Sequence, residues 1–108
     1  MNPKPVVFRS TLVGAVLVSG MSAVWANPGL AKKNNCLACH ATASQLVGPA
    51  YQAVAAKYAG QTDAVATLVK NIRAGGAGRW GDMAMPPQPQ LSEADAKKLA
   101  TWILGGAK

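Results

Sequence analysis

Both cysteines and the single histidine of this 108-residue chain fall within five positions, Cys36-Leu37-Ala38-Cys39-His40. Whatever these side chains hold becomes the centre that the rest of the chain must enclose. Ahead of the cluster, residues 1–26 read as a secretory leader rather than as part of the fold. Lys4 and Arg9 precede an apolar stretch that starts at Thr11, and no charge occurs from Ser10 to Ala31. Val24 and Ala26 suit the positions three and one before a cut after Ala26. Gly14, Ser19, Gly20 and Ser22 dilute the stretch, which argues against a retained membrane anchor. No cysteine stands at the cut to take a lipid. The expected product is one domain, residues 27–108, whose net charge falls from +7 to +5 with the loss of Lys4 and Arg9. Its size is near the lower limit for a self-sufficient core, roughly 70–80 residues, so a disulfide, a metal or a large cofactor is expected. After export a thiol pair is bonded, ligated or alkylated.

The apolar spacing of residues 27–108 is helical throughout. Asn27-Pro28 predicts a helix start, with Asn27 as cap, running to about Asn35. Tyr51, Val54, Ala55 and Tyr58 repeat at helical spacing over residues 50–59, and Gly60 ends them. Thr62 is the expected cap of the next helix, where Val65, Leu68, Val69 and Ile72 form the apolar face and Gly75-Gly76 the stop. Ser92 is the expected cap of the last helix, with Glu93 and Asp95 in its positive first turn and Ala96, Leu99, Ala100 and Ile103 as its buried stripe. No stretch alternates with period two for long enough to predict a strand. The fold class is all-α, about four helices. The connections 36–49 and 75–91 are long for so small a domain, and such loops are usually functional.

The spacing of the cluster has a chemical reason. Two thiols three residues apart can each add to one vinyl group of a haem, and the imidazole of the next residue then reaches the iron. Zinc would find three ligands and no second Cys or His for a fourth. A thioredoxin-type pair needs a βαβ setting, and a plain disulfide leaves His40 unexplained. Haem attachment through Cys36 and Cys39, with His40 as the first axial ligand, is the reading that uses all three residues. A macrocycle also supplies the apolar centre that six aromatic residues cannot. The chain has no second histidine, so a second axial ligand from the protein would be Met83 or Met85, both in the loop 75–91. A thioether favours ferrous iron. Met85 is favoured because Pro86-Pro87 follows it directly and stiffens its backbone.

Five segments resemble one family in order: CLACH at 36–40, VGPAYQAVAAKYAG at 47–60, AGGAGRWG at 74–81, MPPQ at 85–88 and LATWIL at 99–104. The sequence is similar to the small monohaem bacterial class I cytochromes c of the c-551/c-552 type, over essentially all of residues 27–108. The resemblance implies the class I cytochrome c fold: four to five short helices around one covalently bound haem c, with the N- and C-terminal helices in contact. It implies thioethers at Cys36 and Cys39, His40 and Met85 as the iron ligands, and a Pro49 carbonyl that accepts from the other ring nitrogen of His40. It also implies a Trp80 indole directed to a haem propionate, and Gln88 where the family places an amide near the methionine sulfur. Asn71 departs from the arginine that some relatives carry near a propionate, and Arg73 is a candidate substitute. Met83 is an additional sulfur, and the segment 88–91 is one residue longer than in close relatives.

The expected function is a periplasmic one-electron carrier, not an enzyme, working between respiratory partners such as a quinol-oxidising complex and a terminal reductase or oxidase. The rivals are a haem enzyme or gas sensor with a labile Met85 bond, and a haem module fixed in a larger complex. The basic residues are scattered. They either keep a small protein soluble or steer it to acidic docking surfaces. Nucleic-acid binding is disfavoured by the absence of a recognised module or interleaved aromatics. A monomer without stable membrane insertion is expected. Residues 76–81 satisfy G-x-G-x-x-G, but no strand precedes them and Pro86 blocks a long helix after them, so the dinucleotide reading fails. The four acidic residues show no pairing suited to catalysis.

Overall fold

A computed structural model describes residues 2–8, 10–16 and 26–108. Residues 2–8 and 10–16 carry no regular secondary structure and are exposed. Of the expected leader, Met1, Arg9 and residues 17–25, Val24 among them, lie outside the described residues, and Ala26 is the first residue of α1. From Ala26 onward the chain forms α1 (Ala26–Lys33), a 3-10 turn (Cys36–Ala38), α2 (Tyr51–Tyr58), α3 (Ala64–Ala74) and α4 (Glu93–Leu104). Among the described residues the only β pairing is an isolated antiparallel bridge between Gly76 and Met85.

The ends of α1 follow from local chemistry. Pro28 lies in the first turn, where its missing N–H costs nothing, and Lys32 and Lys33 lie against the negative C-terminal end. Asn27 is inside the helix rather than its cap, because the helix starts two positions before expectation, a shift typical of helix ends. The helix also stops two residues short of Asn35. The Asn34 side chain donates to the Leu30 carbonyl at 2.9 Å, and Asn35 turns left-handed at φ 59°. This reversal delivers the chain into the cysteine turn.

α2 has no side-chain cap. Its first N–H groups are instead met by the loop before it: Tyr51 donates to the Ala41 carbonyl at 2.9 Å and Gln52 to that of Thr42 at 3.0 Å. These bonds tie the helix to the segment just after His40. The cap of α3 differs from expectation. Asp63, not Thr62, holds the cap position, and its side chain makes no capping bond. α3 ends as expected at Gly75, whose φ of 66° suits glycine. Ser92 does cap α4, its hydroxyl accepting from the Asp95 N–H at 3.1 Å.

α4 is the common wall, since α1, α2 and α3 all pack on it. Ala31 on α1 and Ala96 and Ala100 on α4 are fully buried, and such small side chains let helix backbones approach closely. The contact of first and last helices expected from the resemblance is therefore present. Tyr51, Val54, Tyr58, Leu68, Ile72, Leu91, Leu99 and Ile103 complete the core. The helical stripes read from the sequence face inward, with Ala55, Val65 and Val69 at its half-buried margin. Neither long connection enters the core as a helix. They come together instead as the walls of a cleft.

Candidate haem site

The cysteine turn is built by backbone bonds. Ala38 donates to the Asn35 carbonyl at 3.2 Å, and Cys39 and His40 both donate to that of Cys36, at 3.2 and 3.0 Å. Gly48 donates to the Cys39 carbonyl at 2.7 Å, folding the 41–49 loop back over the turn. Cys36 and Cys39 are half-buried and not joined in a disulfide. Burial pushes the Cys36 thiol up, partly offset by a backbone hydrogen bond. A redox-active thiol pair needs the opposite shift.

His40 is fixed on three sides. Its Nδ1 lies 2.8 Å from the Pro49 carbonyl oxygen. A carbonyl only accepts, so Nδ1 carries a proton, and in the neutral ring Nε2 is the nitrogen that keeps its lone pair. The imidazole stacks on Tyr51, with ring centroids 5.3 Å apart and planes at 15°. Tyr51 is held in turn by the edge of Trp102, also at 5.3 Å. Burial first, and Cys36 second, push the Tyr51 hydroxyl well above its ordinary value, so it stays neutral. On the third side lies Gly48. A Cβ there would meet the imidazole Cε1 and would stand 2.8 Å from Nδ1 and 2.9 Å from Nε2. Only glycine fits beside the ring as it is placed.

The other wall comes from the loop 75–91. Met85 donates to the Gly76 carbonyl at 2.8 Å and accepts from its N–H at 3.0 Å, so both its backbone groups are held. A Cβ at Gly75 would meet the Met85 carbonyl oxygen and the Pro86-Pro87 backbone, which again requires glycine. Gln88 donates its N–H to the Arg73 carbonyl at 3.0 Å and closes the loop onto α3.

Between these walls lies a cleft of about 1100 Å³, part of it open to solvent. Cys36, Cys39, His40, Pro49, Trp80 and Met85 all line it, so six of the seven site residues read from the sequence come together. Gln88 does not line it. Its amide donates to the Pro86 carbonyl at 3.1 Å, and its oxygen accepts from Gln90 at 2.7 Å. Arg73 is also elsewhere: its Nε donates to the Leu91 carbonyl at 3.2 Å, whereas Asn71 does line the cleft. Trp80 lines the cleft and is 40% exposed. The Lys57 ammonium lies 4.4 Å from its ring centroid and donates to the Arg79 carbonyl at 3.0 Å. Met83 also lines the cleft but is 69% exposed, while Met85 is half-buried.

Besides the glycine required at 48, three contributors were missed in the sequence: Tyr51, Lys57 and Arg79. The only available signal for Tyr51 was its place directly after the Gly48-Pro49-Ala50 segment. Lys57 and Arg79 are 22 positions apart, and no local pattern links them.

The residues present fit haem c. The cleft is mainly apolar, as a macrocycle requires, and offers two thiols, an imidazole with a free Nε2 and a half-buried thioether. A helical shell around such a cleft defines a protein that holds its haem covalently. The chain belongs to the cytochrome c family, whose model matches residues 28–107. It is 50% identical over 90 residues to cytochrome c-552 of Nitrosomonas europaea, covering 83% of this chain and 85% of that protein. It is 43% identical over 104 residues to cytochrome c-551 of Pseudomonas aeruginosa, covering 94% of this chain and 96% of that one. The crystal structure of wild-type Nitrosomonas europaea cytochrome c552 superposes with a TM-score of 0.71 at 51% identity, covering 72% of this chain and 96% of that structure. The class 1 cytochrome MtoD from Sideroxydans lithotrophicus is more distant, at 29% identity and a TM-score of 0.63, covering 80% and 95%. The chain is thus a monohaem cytochrome c of an electron-carrier family, with one covalent haem c and the attachment motif to match. Among the described residues no helix is long and apolar enough to cross a membrane.

Proposed function

We propose that this protein carries single electrons through a haem c joined to Cys36 and Cys39, with its iron ligated by His40 and Met85. The observation that carries this reading is the pinned imidazole: Nδ1 donates its hydrogen bond to the Pro49 carbonyl, which leaves Nε2 as the ring nitrogen that can serve as a ligand at the cleft. When bound, the haem supplies a one-electron ferrous–ferric couple. The chain's own contribution is to keep its surroundings still. The Pro49 bond makes His40 a better donor and fixes its plane, as such outer partners do. Tyr51 and Gly48 hold the ring from its faces. The two backbone bonds at Gly76 and the following prolines keep the Met85 thioether at one address. Leu68, Ile72, Leu99 and Ile103 exclude water from the interior side. Ligands that do not rearrange keep the cost of changing oxidation state small. With His40 and Met85 both holding the iron, no position would be left open for a substrate, which favours carriage over bond chemistry.

The leader pattern of residues 1–26 supports export and cleavage before Asn27, giving a periplasmic domain of residues 27–108. A basic surface, +5 for that domain before the haem carboxylates are counted, supports encounter with acidic faces of donor and acceptor proteins. Mass spectrometry of the periplasmic product tests attachment and cleavage together: the expected mass is that of residues 27–108 plus one haem, stable to acid–acetone extraction. A coulometric titration tests carriage, with one electron per chain and the same spectra on every cycle. A protein without covalent haem, or spectra that drift on cycling, would refute the proposal.

A further inference from the structure

Among the described residues, Arg79 is the one with a permanent charge that lines the cleft, and no carboxylate among them lines it. Its main-chain carbonyl is held by Lys57 at 3.0 Å, and the same ammonium lies over the neighbouring Trp80 ring. The backbone that carries Arg79 is therefore anchored to α2. Its guanidinium lies against Gly76: a Cβ there would stand 2.9 Å from Nη1 and 3.3 Å from Nη2. Glycine leaves room for the arginine to lie along the cleft wall. Its one hydrogen bond among the described residues is a long one, from Nη1 to the Gly75 carbonyl at 3.5 Å. A guanidinium has five N–H donors in a planar fork suited to a carboxylate, so most of that capacity is unspent.

Haem c is chemically lopsided. Its ring is apolar, and two propionate carboxylates leave it from one edge. The cleft has a matching asymmetry, since its lining is mainly apolar while Arg79 and the Trp80 indole belong to the same glycine-rich loop. Arg73, the candidate suggested by its nearness to Asn71 in sequence, is bonded to the Leu91 carbonyl and is not in the cleft lining.

We propose that Arg79 is the charge partner of a haem propionate and sets part of the reduction potential. This rests on the haem-carrier reading above. A guanidinium at that edge would add one positive charge to the surroundings of the haem, which favours the ferrous state. Arg79 touches no reacting atom; it positions the carboxylate edge and tunes the couple electrostatically.

The test is an equilibrium spectroelectrochemical titration of holoprotein at low salt, comparing wild type, Arg79→Gln and Lys70→Gln. Lys70 is an exposed cation of α3 outside the cleft and controls for net charge. At a fixed applied potential, R79Q is expected to lower the ferrous-to-ferric ratio about fivefold, the size expected of one screened charge near the iron. K70Q should change it less than twofold. Redox-difference infrared spectra should show the propionate carboxylate stretch moved in R79Q and unmoved in K70Q. An R79Q change below twofold, or one matched by K70Q, or an unmoved carboxylate stretch in R79Q, overturns the proposal. Failure of His40/Met85 ligation would show separately, in the wild-type ferric spectrum, before any variant is compared.

Discussion

Replacing Gly48 with alanine adds one methyl group where the His40 ring already stands. The new carbon would lie 2.8 and 2.9 Å from the two ring nitrogens, against 3.4–4 Å for ordinary contact, so the ring must retreat by at least about half an ångström. The backbone at Gly48 is not the difficulty, since its φ is not in the left-handed region. The cost is steric and falls on the imidazole and on its 2.8 Å bond to Pro49. Overpacking of this kind costs about 1–3 kcal/mol. A stretched hydrogen bond adds up to about 1 kcal/mol. A total of about 1–4 kcal/mol corresponds to a fall in Tm of roughly 5–30 °C for a domain of this size. The assay is thermal and denaturant unfolding of ferric holoprotein, with the ferric absorption spectrum recorded alongside. Gly60→Ala is the control: its φ is 77°, but nothing lies within 4 Å of the added carbon. It should lose only about 1 kcal/mol through backbone strain and leave the spectrum unchanged. A Gly48→Ala protein within about 1 kcal/mol of wild type, with an unchanged spectrum, would refute the claim that Gly48 holds the ring.

Three further substitutions test the frame around the site. Ser92→Ala removes the one side-chain helix cap among the described residues and should cost about 1 kcal/mol in denaturant unfolding without moving the spectrum. Gly29→Ala, in the exposed part of α1 with open space around it, should raise stability by about 0.5–1 kcal/mol. Lys57→Met removes both the bond to the Arg79 carbonyl and the ammonium over Trp80, and should cost about 1 kcal/mol. It should also speed amide hydrogen exchange in residues 76–81, and exchange unchanged there would argue that the loop is held by other contacts.

Much of this site was legible because it is local. The Cys36–His40 turn and the Ser92 cap each state their role within a few residues, the Met85-Pro86-Pro87 run marks a segment that does line the cleft, and helical periodicity located α2, α3 and α4. What escaped is tertiary. Thr62 and Asp63 are both good cap residues, and the packing of α3, not their side chains, decides where that helix starts. The need for glycine at 48 exists only once His40 has folded back beside it. Arg73 and Arg79 are alike in a list of basic residues, yet one turns to the Leu91 carbonyl and the other lines the cleft. Gln88 matched its family position and is nevertheless spent on Pro86 and Gln90. Side-chain direction at a loop is set by neighbours distant in sequence, which no window of residues contains.

The assignment of iron ligands is tested most directly by the near-infrared edge of the ferric spectrum, where a thioether bound to haem iron gives a charge-transfer band. Wild type and Met83→Ala should both show this band, and Met85→Ala should lack it. A wild-type protein without the band, or a Met85→Ala protein that keeps it, would contradict ligation by Met85.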